Sequence, residues 1–273
     1  MNPLLPPAQL DAAAVVRASR SSFVPAFRLL PADGRADLEI LYAFCRAADD
    51  VADAEGYAAS ERYAALEAWR SAFRSPDLQR LPGNLRELIG RRGLDRGLFL
   101  ELLDGTATDL AAPVRMATRA DLDLYCHRVA GTVGRLCLPI FGADPVRAGN
   151  YADTLGRALQ YTNILRDTKA DLERGRIYYP LDELATAKVL SFPDDARGYL
   201  VVFAQTTEAL FEQAERISPL QDAKALRPAR IMASIYRALL RKMQRDGLRV
   251  TAQRYRLSAT EKLWALARGL LGQ

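Results

Sequence analysis

Apolar residues recur every three to four positions along most of the chain, the spacing that turns one helix face toward a core. The pattern predicts long helices over Arg35–Glu55, Ala58–Phe73, Leu94–Leu110, Asp121–Phe141, Pro145–Glu173, Pro193–Ile217 and Pro228–Asp246, all rich in Ala, Leu, Arg and Glu. Turn signals separate them: Ser75-Pro76, Leu81-Pro82-Gly83-Asn84, Gly142-Ala143-Asp144-Pro145 and Tyr179-Pro180. Alternating β-branched runs are nearly absent, and no low-complexity linker or internal repeat divides the chain. The pattern therefore predicts one all-α domain over residues 1–273.

Two of these helices carry an acidic echo. Asp49-x-x-x-Asp53 recurs as Asp167-x-x-x-Asp171, and residues four apart share a helix face. Tyr42, Arg46, Asp49 and Asp53 form one polar stripe on a helix otherwise built from Leu41, Ala43, Phe44, Ala47, Ala48 and Val51. Gln160, Asn163, Asp167 and Asp171 form a second stripe beside Leu155, Leu159, Ile164 and Leu165. Like charges four apart destabilise a helix by a few tenths of a kcal/mol, and burial raises that cost. A single such motif is ordinarily a solvated face. Two in the most apolar helices, each with an amide or guanidinium beside it, predict carboxylate faces flanking a cavity. Oxygen-only donors suit Mg²⁺, which bridges carboxylates and substrate phosphates, and Arg166, Arg174 and Arg176 would clamp the same phosphates.

Composition narrows the chemistry further. The 273 residues are 49% hydrophobic, which excludes a small stapled scaffold, and 26% charged with only 31 Gly and Pro, which excludes wholesale disorder. Three cysteines without a CxxC pair argue against a disulfide framework and fit a reducing compartment. They read most simply as small core residues. His127 is the one histidine, so a His/Cys zinc site is excluded. The net charge of +5 is uneven: from Ala223 onward, 12 Lys and Arg face only Asp246 and Glu261, giving +10 and leaving −5 for the rest. No signal pattern or run of about 20 apolar residues is present, which predicts a cytoplasmic protein. The basic portion, with Leu263, Trp264, Leu266, Leu270 and Leu271, predicts either peripheral docking on the inner membrane face or a terminal helix packed on the bundle. No nucleic-acid motif accompanies the charge, so no nucleic-acid partner is expected.

The wording of several segments resembles the squalene/phytoene synthase family. Ser21-Ser22-Phe23, Phe27-Arg28-Leu29-Leu30-Pro31 and Tyr42-Ala43-Phe44-Cys45-Arg46-Ala47-Ala48-Asp49-Asp50-Val51-Ala52-Asp53 carry the resemblance at the start of the chain. Tyr125-Cys126-His127-Arg128-Val129-Ala130-Gly131-Thr132-Val133-Gly134, Leu159-Gln160-Tyr161-Thr162-Asn163-Ile164-Leu165-Arg166-Asp167 and Arg174-Gly175-Arg176-Ile177-Tyr178-Tyr179-Pro180 continue it in the same order. The resemblance implies an isoprenoid-synthase-type helical bundle around a central cavity, and Mg²⁺-dependent head-to-head joining of two allylic diphosphates, with Mn²⁺ as an alternative metal.

Carried onto this chain, Asp49, Asp53, Asn163, Asp167 and Asp171 would hold metal and diphosphate, and Ser22, Arg46 and Arg176 would contact phosphate oxygens. Tyr125 would stand near the reacting centre. Phe23, Phe27, Tyr42, Val129, Val133, Leu159, Gln160 and Tyr236 would line the substrate site, and Gly131 and Gly134 would let substrate approach a helix backbone or serve tight packing. His127 reads as a neighbour of the site rather than a base. Lys169-Ala170 stands where the family often has an acidic residue, so the second motif is locally less negative. The wording is most similar to the branch that makes presqualene diphosphate from two farnesyl diphosphates. Phytoene or dehydrosqualene synthesis, from geranylgeranyl or farnesyl diphosphate, is the alternative, and an inactive scaffold is a further one. NADPH is not expected as a cofactor, and a downstream enzyme would finish the pathway.

Overall fold

The computed structural model describes residues 4–19, 27, 30–111, 113–189, 192 and 195–271. Twelve α-helices are described: α1 (Ala12–Ala18), α2 (Ala32–Asp53), α3 (Ala59–Arg74), α4 (Gly83–Arg92), α5 (Arg96–Thr108), α6 (Arg119–Cys126), α7 (Thr132–Phe141), α8 (Pro145–Glu173), α9 (Leu181–Thr186), α10 (Arg197–Ile217), α11 (Arg227–Arg245) and α12 (Ala259–Leu271). Among the described residues the sole β pairing is an isolated bridge between Arg115 and Ile177. The protein is an all-α bundle.

The boundaries follow local chemistry. Asp144 accepts from the amides of Val146 and Arg147, and Pro145 opens α8 where a missing N–H costs nothing. Gly142 ends α7 in the left-handed region at φ +79°. The stretch Asp121–Phe141, expected as one helix, is instead α6, a π turn over His127–Gly131, and α7. Packing imposes the wider turn's surroundings. A Cβ on Gly105 of α5 would lie 2.7 Å from Val129, and one on Gly156 of α8 would lie 2.8 Å from the Ala130 carbonyl. Two glycines thus let two helices press on the π turn from both sides. Thr132 Oγ1 donates to the Arg128 carbonyl at 2.6 Å, occupying an acceptor within the altered ladder.

Two hydrophobic clusters form the core. One gathers α2 to α5 around Phe44, whose ring meets Trp69, Phe73 and Phe99 edge-on at centroid distances of 5.2–5.4 Å. The other gathers α6, α8, α10, α11 and α12, with Tyr161 stacked on Phe203 at 4.7 Å. Helix α7 serves both: Leu136, Cys137 and Ile140 belong to the first cluster, Leu138 to the second, and Phe141 packs against each. A cavity opens along this seam.

Candidate active site

The cavity measures about 580 Å³. Its walls combine an apolar interior with one strongly ionic region, and both acidic stripes line it. Helix α2 contributes Tyr42, Arg46, Asp49 and Asp53; α8 contributes Leu159, Gln160, Asn163, Asp167 and Asp171. Tyr125, Val129, Val133, Arg176 and Phe27 also line it, as expected from the sequence. Ser22 and Phe23 lie outside the described residues.

One expectation changes. Tyr236 is buried but does not line the cavity; it stands behind the wall, hydrogen-bonded to Arg166, and burial, opposed by that guanidinium, raises its hydroxyl's pKa. The two glycines differ: Gly134 lines the cavity and also packs closely on α8, whereas Gly131 lies outside the lining and serves packing. A Cβ on Gly134 would come 3.0 Å from the Ala152 carbonyl, and one on Gly131 would meet His127 and Asp153. His127 is held by Glu101 at 3.2 Å and Asp153 at 3.5 Å, outside the cavity wall. Cys126 is buried in the core, whereas Cys45 and Cys137 line the cavity, where burial pushes the Cys137 thiol up to about 12.

Three contributors escaped the sequence reading. Asp109, just past α5, accepts from Tyr178 Oη at 2.6 Å and from Tyr125 Oη at 3.1 Å, and the two rings stack at 5.0 Å. Arg176 Nη2 donates to the Asp109 carbonyl at 3.5 Å. Arg254, in the loop before α12, donates through Nε to Asp167 at 2.7 Å.

Five carboxylates and five guanidiniums therefore surround one space: Asp49, Asp53, Asp109, Asp167 and Asp171 with Arg46, Arg166, Arg174, Arg176 and Arg254. Their pairing is uneven. Asp53 binds Arg176 at 3.0 Å and Arg174 at 3.4 Å, joining the first stripe to the segment after α8. Asp167 takes a two-pronged contact from Arg166 at 3.0 and 2.5 Å, besides Arg254. Arg46 pairs with Asp50 at 2.6 Å. Among the described residues, the Asp49 and Asp171 carboxyls have no ion-pair or hydrogen-bond partner, so their charges stand least compensated.

Asp49 opens onto the cavity yet is ringed by protein; this burial, partly offset by Arg46 and reinforced by Asp109 and Asp53, raises its pKa to about 7. Burial and the neighbouring Asp167 raise Asp171 to about 7 against the pull of Arg176. Burial raises Asp109 to about 6, opposed by the Tyr178 hydrogen bond and Arg176. At neutral pH Asp49 and Asp171 therefore keep a share of their protons while Asp109 is mostly ionised, and a nearby cation would favour the charged form of all three.

The donor set fits a hard divalent cation. Asn163 Oδ1 is buried without a hydrogen-bond partner, and Asp49 and Asp171 offer unpaired oxygens. Among the described residues no group of three or more His, Cys, Asp or Glu gathers at metal-ligand spacing. Oxygen donors of this kind would hold a hard cation through one or two carboxylates, with other oxygens completing its shell.

The squalene/phytoene synthase family model matches residues 16–261. The chain belongs to that family. It is a prenyltransferase, and members of the family condense prenyl diphosphates. It is 36% identical over 268 residues to the presqualene diphosphate synthase of Zymomonas mobilis, covering 94% of this chain and 91% of that one. It is 35% identical over 271 residues to the phytoene synthase of Thermus thermophilus, covering 94% and 90%. Among solved structures it matches the squalene synthase HpnC of Alicyclobacillus acidocaldarius with a TM-score of 0.74 at 27% identity, covering 86% of this chain and 92% of that one. A dehydrosqualene synthase shares the fold with a TM-score of 0.80 at 24% identity, covering 94% and 93%.

Proposed function

We propose that this chain joins two farnesyl diphosphates head to head to give presqualene diphosphate. The observation that carries the reading is the union, in one cavity, of a five-arginine, five-aspartate region with a long apolar interior. The 36% identity to a presqualene diphosphate synthase supports this product.

Each part has a chemical task. Diphosphate leaves readily only when its charge is neutralised. Arg46, Arg166, Arg174, Arg176 and Arg254 supply that charge as guanidiniums that bind two oxygens at once. Asp49, Asp53, Asn163, Asp167 and Asp171 would hold Mg²⁺, which when bound acts as a Lewis acid on the departing diphosphate. The allylic cation left behind must meet the double bond of the second substrate and not water. Val129, Val133 and Leu159 help to wall that region with hydrocarbon. Tyr125 and Tyr178, anchored on Asp109, present stacked aromatic faces beside the ionic region, where a π-system stabilises a passing cation.

The 35% identity to a phytoene synthase favours a second reading, in which the cavity takes C20 substrates and the product is phytoene. Incubation with farnesyl or geranylgeranyl diphosphate and Mg²⁺, with and without NADPH, separates the two. The expected outcome is a C30 product that still bears a diphosphate and is unaffected by NADPH, ready for a downstream enzyme. A polyene free of diphosphate and formed without NADPH would replace the reading with the carotenoid one.

A further inference from the structure

Helix α12 is apolar on the side that none of the described residues covers. Its inner side packs on α11 through Ala265 and Gly269: Ser234 Oγ donates to the Ala265 carbonyl at 2.8 Å, and a Cβ on Gly269 would lie 2.9 Å from Ile231 Cα. The outer side carries Leu263, Trp264, Ala267 and Leu270. Leu263 is 68% exposed and Trp264 73% exposed, the largest such pair of adjacent apolar side chains among the described residues. A helix that merely capped the bundle would place polar residues there.

Charge identifies the occupant. Arg268 follows Trp264 by one turn on the same flank, and Arg245 and Arg256 line an open groove where α11 meets the segment before α12. Among the described residues these three arginines have no carboxylate partner. From Ala223 onward basic side chains outnumber acidic ones by 12 to 2. Exposed Trp and Leu rimmed by unpaired arginines match the boundary between acyl chains and anionic headgroups.

We infer that the outer face of α12 docks the protein on an anionic lipid bilayer. The position is informative. Arg254 lines both the basic groove and the cavity, and α11, the helix beneath α12, contributes Ala229 and Met232 to the cavity wall. Docking there sets the cavity's ionic end beside the headgroups. The inference stands apart from the proposed reaction, since the docking face itself, Leu263, Trp264, Ala267 and Leu270, lies outside the cavity lining.

The chain carries its own reporter. It has two tryptophans; Trp69 is 1% exposed and Trp264 faces solvent, so a change in emission on adding vesicles reports Trp264. Vesicles of phosphatidylglycerol and phosphatidylethanolamine at low salt should shift the emission to the blue and carry the full chain down on centrifugation. Pure phosphatidylcholine should bind far less. The double variant Leu263→Ser/Trp264→Ser should partition at least about tenfold more weakly, while its turnover of substrate dispersed in detergent matches the parent. Failure of the parent to shift or sediment with anionic vesicles overturns the docking and leaves the reaction untouched. So does a concentration-dependent dimer that buries Trp264 without lipid.

Discussion

Replacing Asp49 with Asn should make the metal-free protein more stable at alkaline pH. Among the described residues the Asp49 carboxyl has no ion-pair or hydrogen-bond partner, and burial raises its pKa from 3.8 to about 7. In the unfolded chain the same carboxyl ionises near 3.8. Between these values the folded state holds a proton that the unfolded state has released, so stability falls as pH rises through that window. Above about 7 both states are ionised and the whole cost of the folded charge is present. Three units correspond to about 4 kcal/mol. Water in the open cavity screens the charge, which brings the expected gain down to about 2 kcal/mol.

An asparagine of the same shape carries none of this cost. For a chain of this size the gain is about 4 to 8 °C in melting temperature. Melts of parent and Asp49→Asn recorded with a chelator from pH 4 to pH 8 test it directly. The gap should be widest at pH 8, shrink through pH 5 and close near pH 4. A variant less stable than the parent at pH 8, or a gap independent of pH, would refute the argument. The same variant should lose most turnover, because the least compensated carboxylate is the one a cation needs.

Three further outcomes follow from the site. Mg²⁺ alone or inorganic pyrophosphate alone should shift the melting temperature little, and the two together substantially, because Asp53 and Asp167 are held by arginines that must be drawn away as their carboxylates turn to the cation; an equal shift with Mg²⁺ alone would contradict this. Asp109→Asn removes the charged acceptor shared by Tyr178 and Tyr125, a loss of about 1.5–3 kcal/mol in hydrogen bonding, so turnover should fall at least about tenfold with helicity retained in circular dichroism. Gly156→Ala forces a Cβ to 2.8 Å from the Ala130 carbonyl and the Gly131 amide, both backbone, and should cost about 1–3 kcal/mol in a calorimetric melt.

How far the sequence could be read depended on the range of the interaction. Helix α8 matched its expected span of Pro145–Glu173 because its start signal is local: Asp144 and Pro145 act within three residues. The two aspartate stripes were legible for the same reason, since four-residue spacing fixes a shared face. The π turn was not, because Gly105 and Gly156, which crowd it, come from α5 and α8. Asp109 and Arg254 reach the cavity only through tertiary packing. Arg254 is 87 positions from the aspartate it holds, and no local spacing links the two. Tyr178 and Tyr179 are adjacent in one motif, yet Tyr178 turns to Asp109 and Tyr179 to Thr168. Tyr236 shows the converse: its place in the motif suggested the cavity wall, and packing put it one layer behind, on Arg166.

The charge inventory explains why the two stripes need each other. Aspartates alone would fill the cavity with repelling carboxylates, and arginines alone would leave buried cations. Interleaved, Arg174 and Arg176 reach across to Asp53 while Arg166 and Arg254 hold Asp167, so most of these charges meet an opposite one within the site. The arrangement leaves Asp49, Asp171 and the Asn163 carbonyl oxygen uncommitted. These are oxygen donors, and they await a cation. On the proposed reading, an anionic diphosphate would compete with the aspartates for the guanidiniums, and the carboxylates so released would be free to hold the cation. Under that reading, metal and diphosphate would be bound through one exchange of partners, which needs carboxylates and guanidiniums from both stripes.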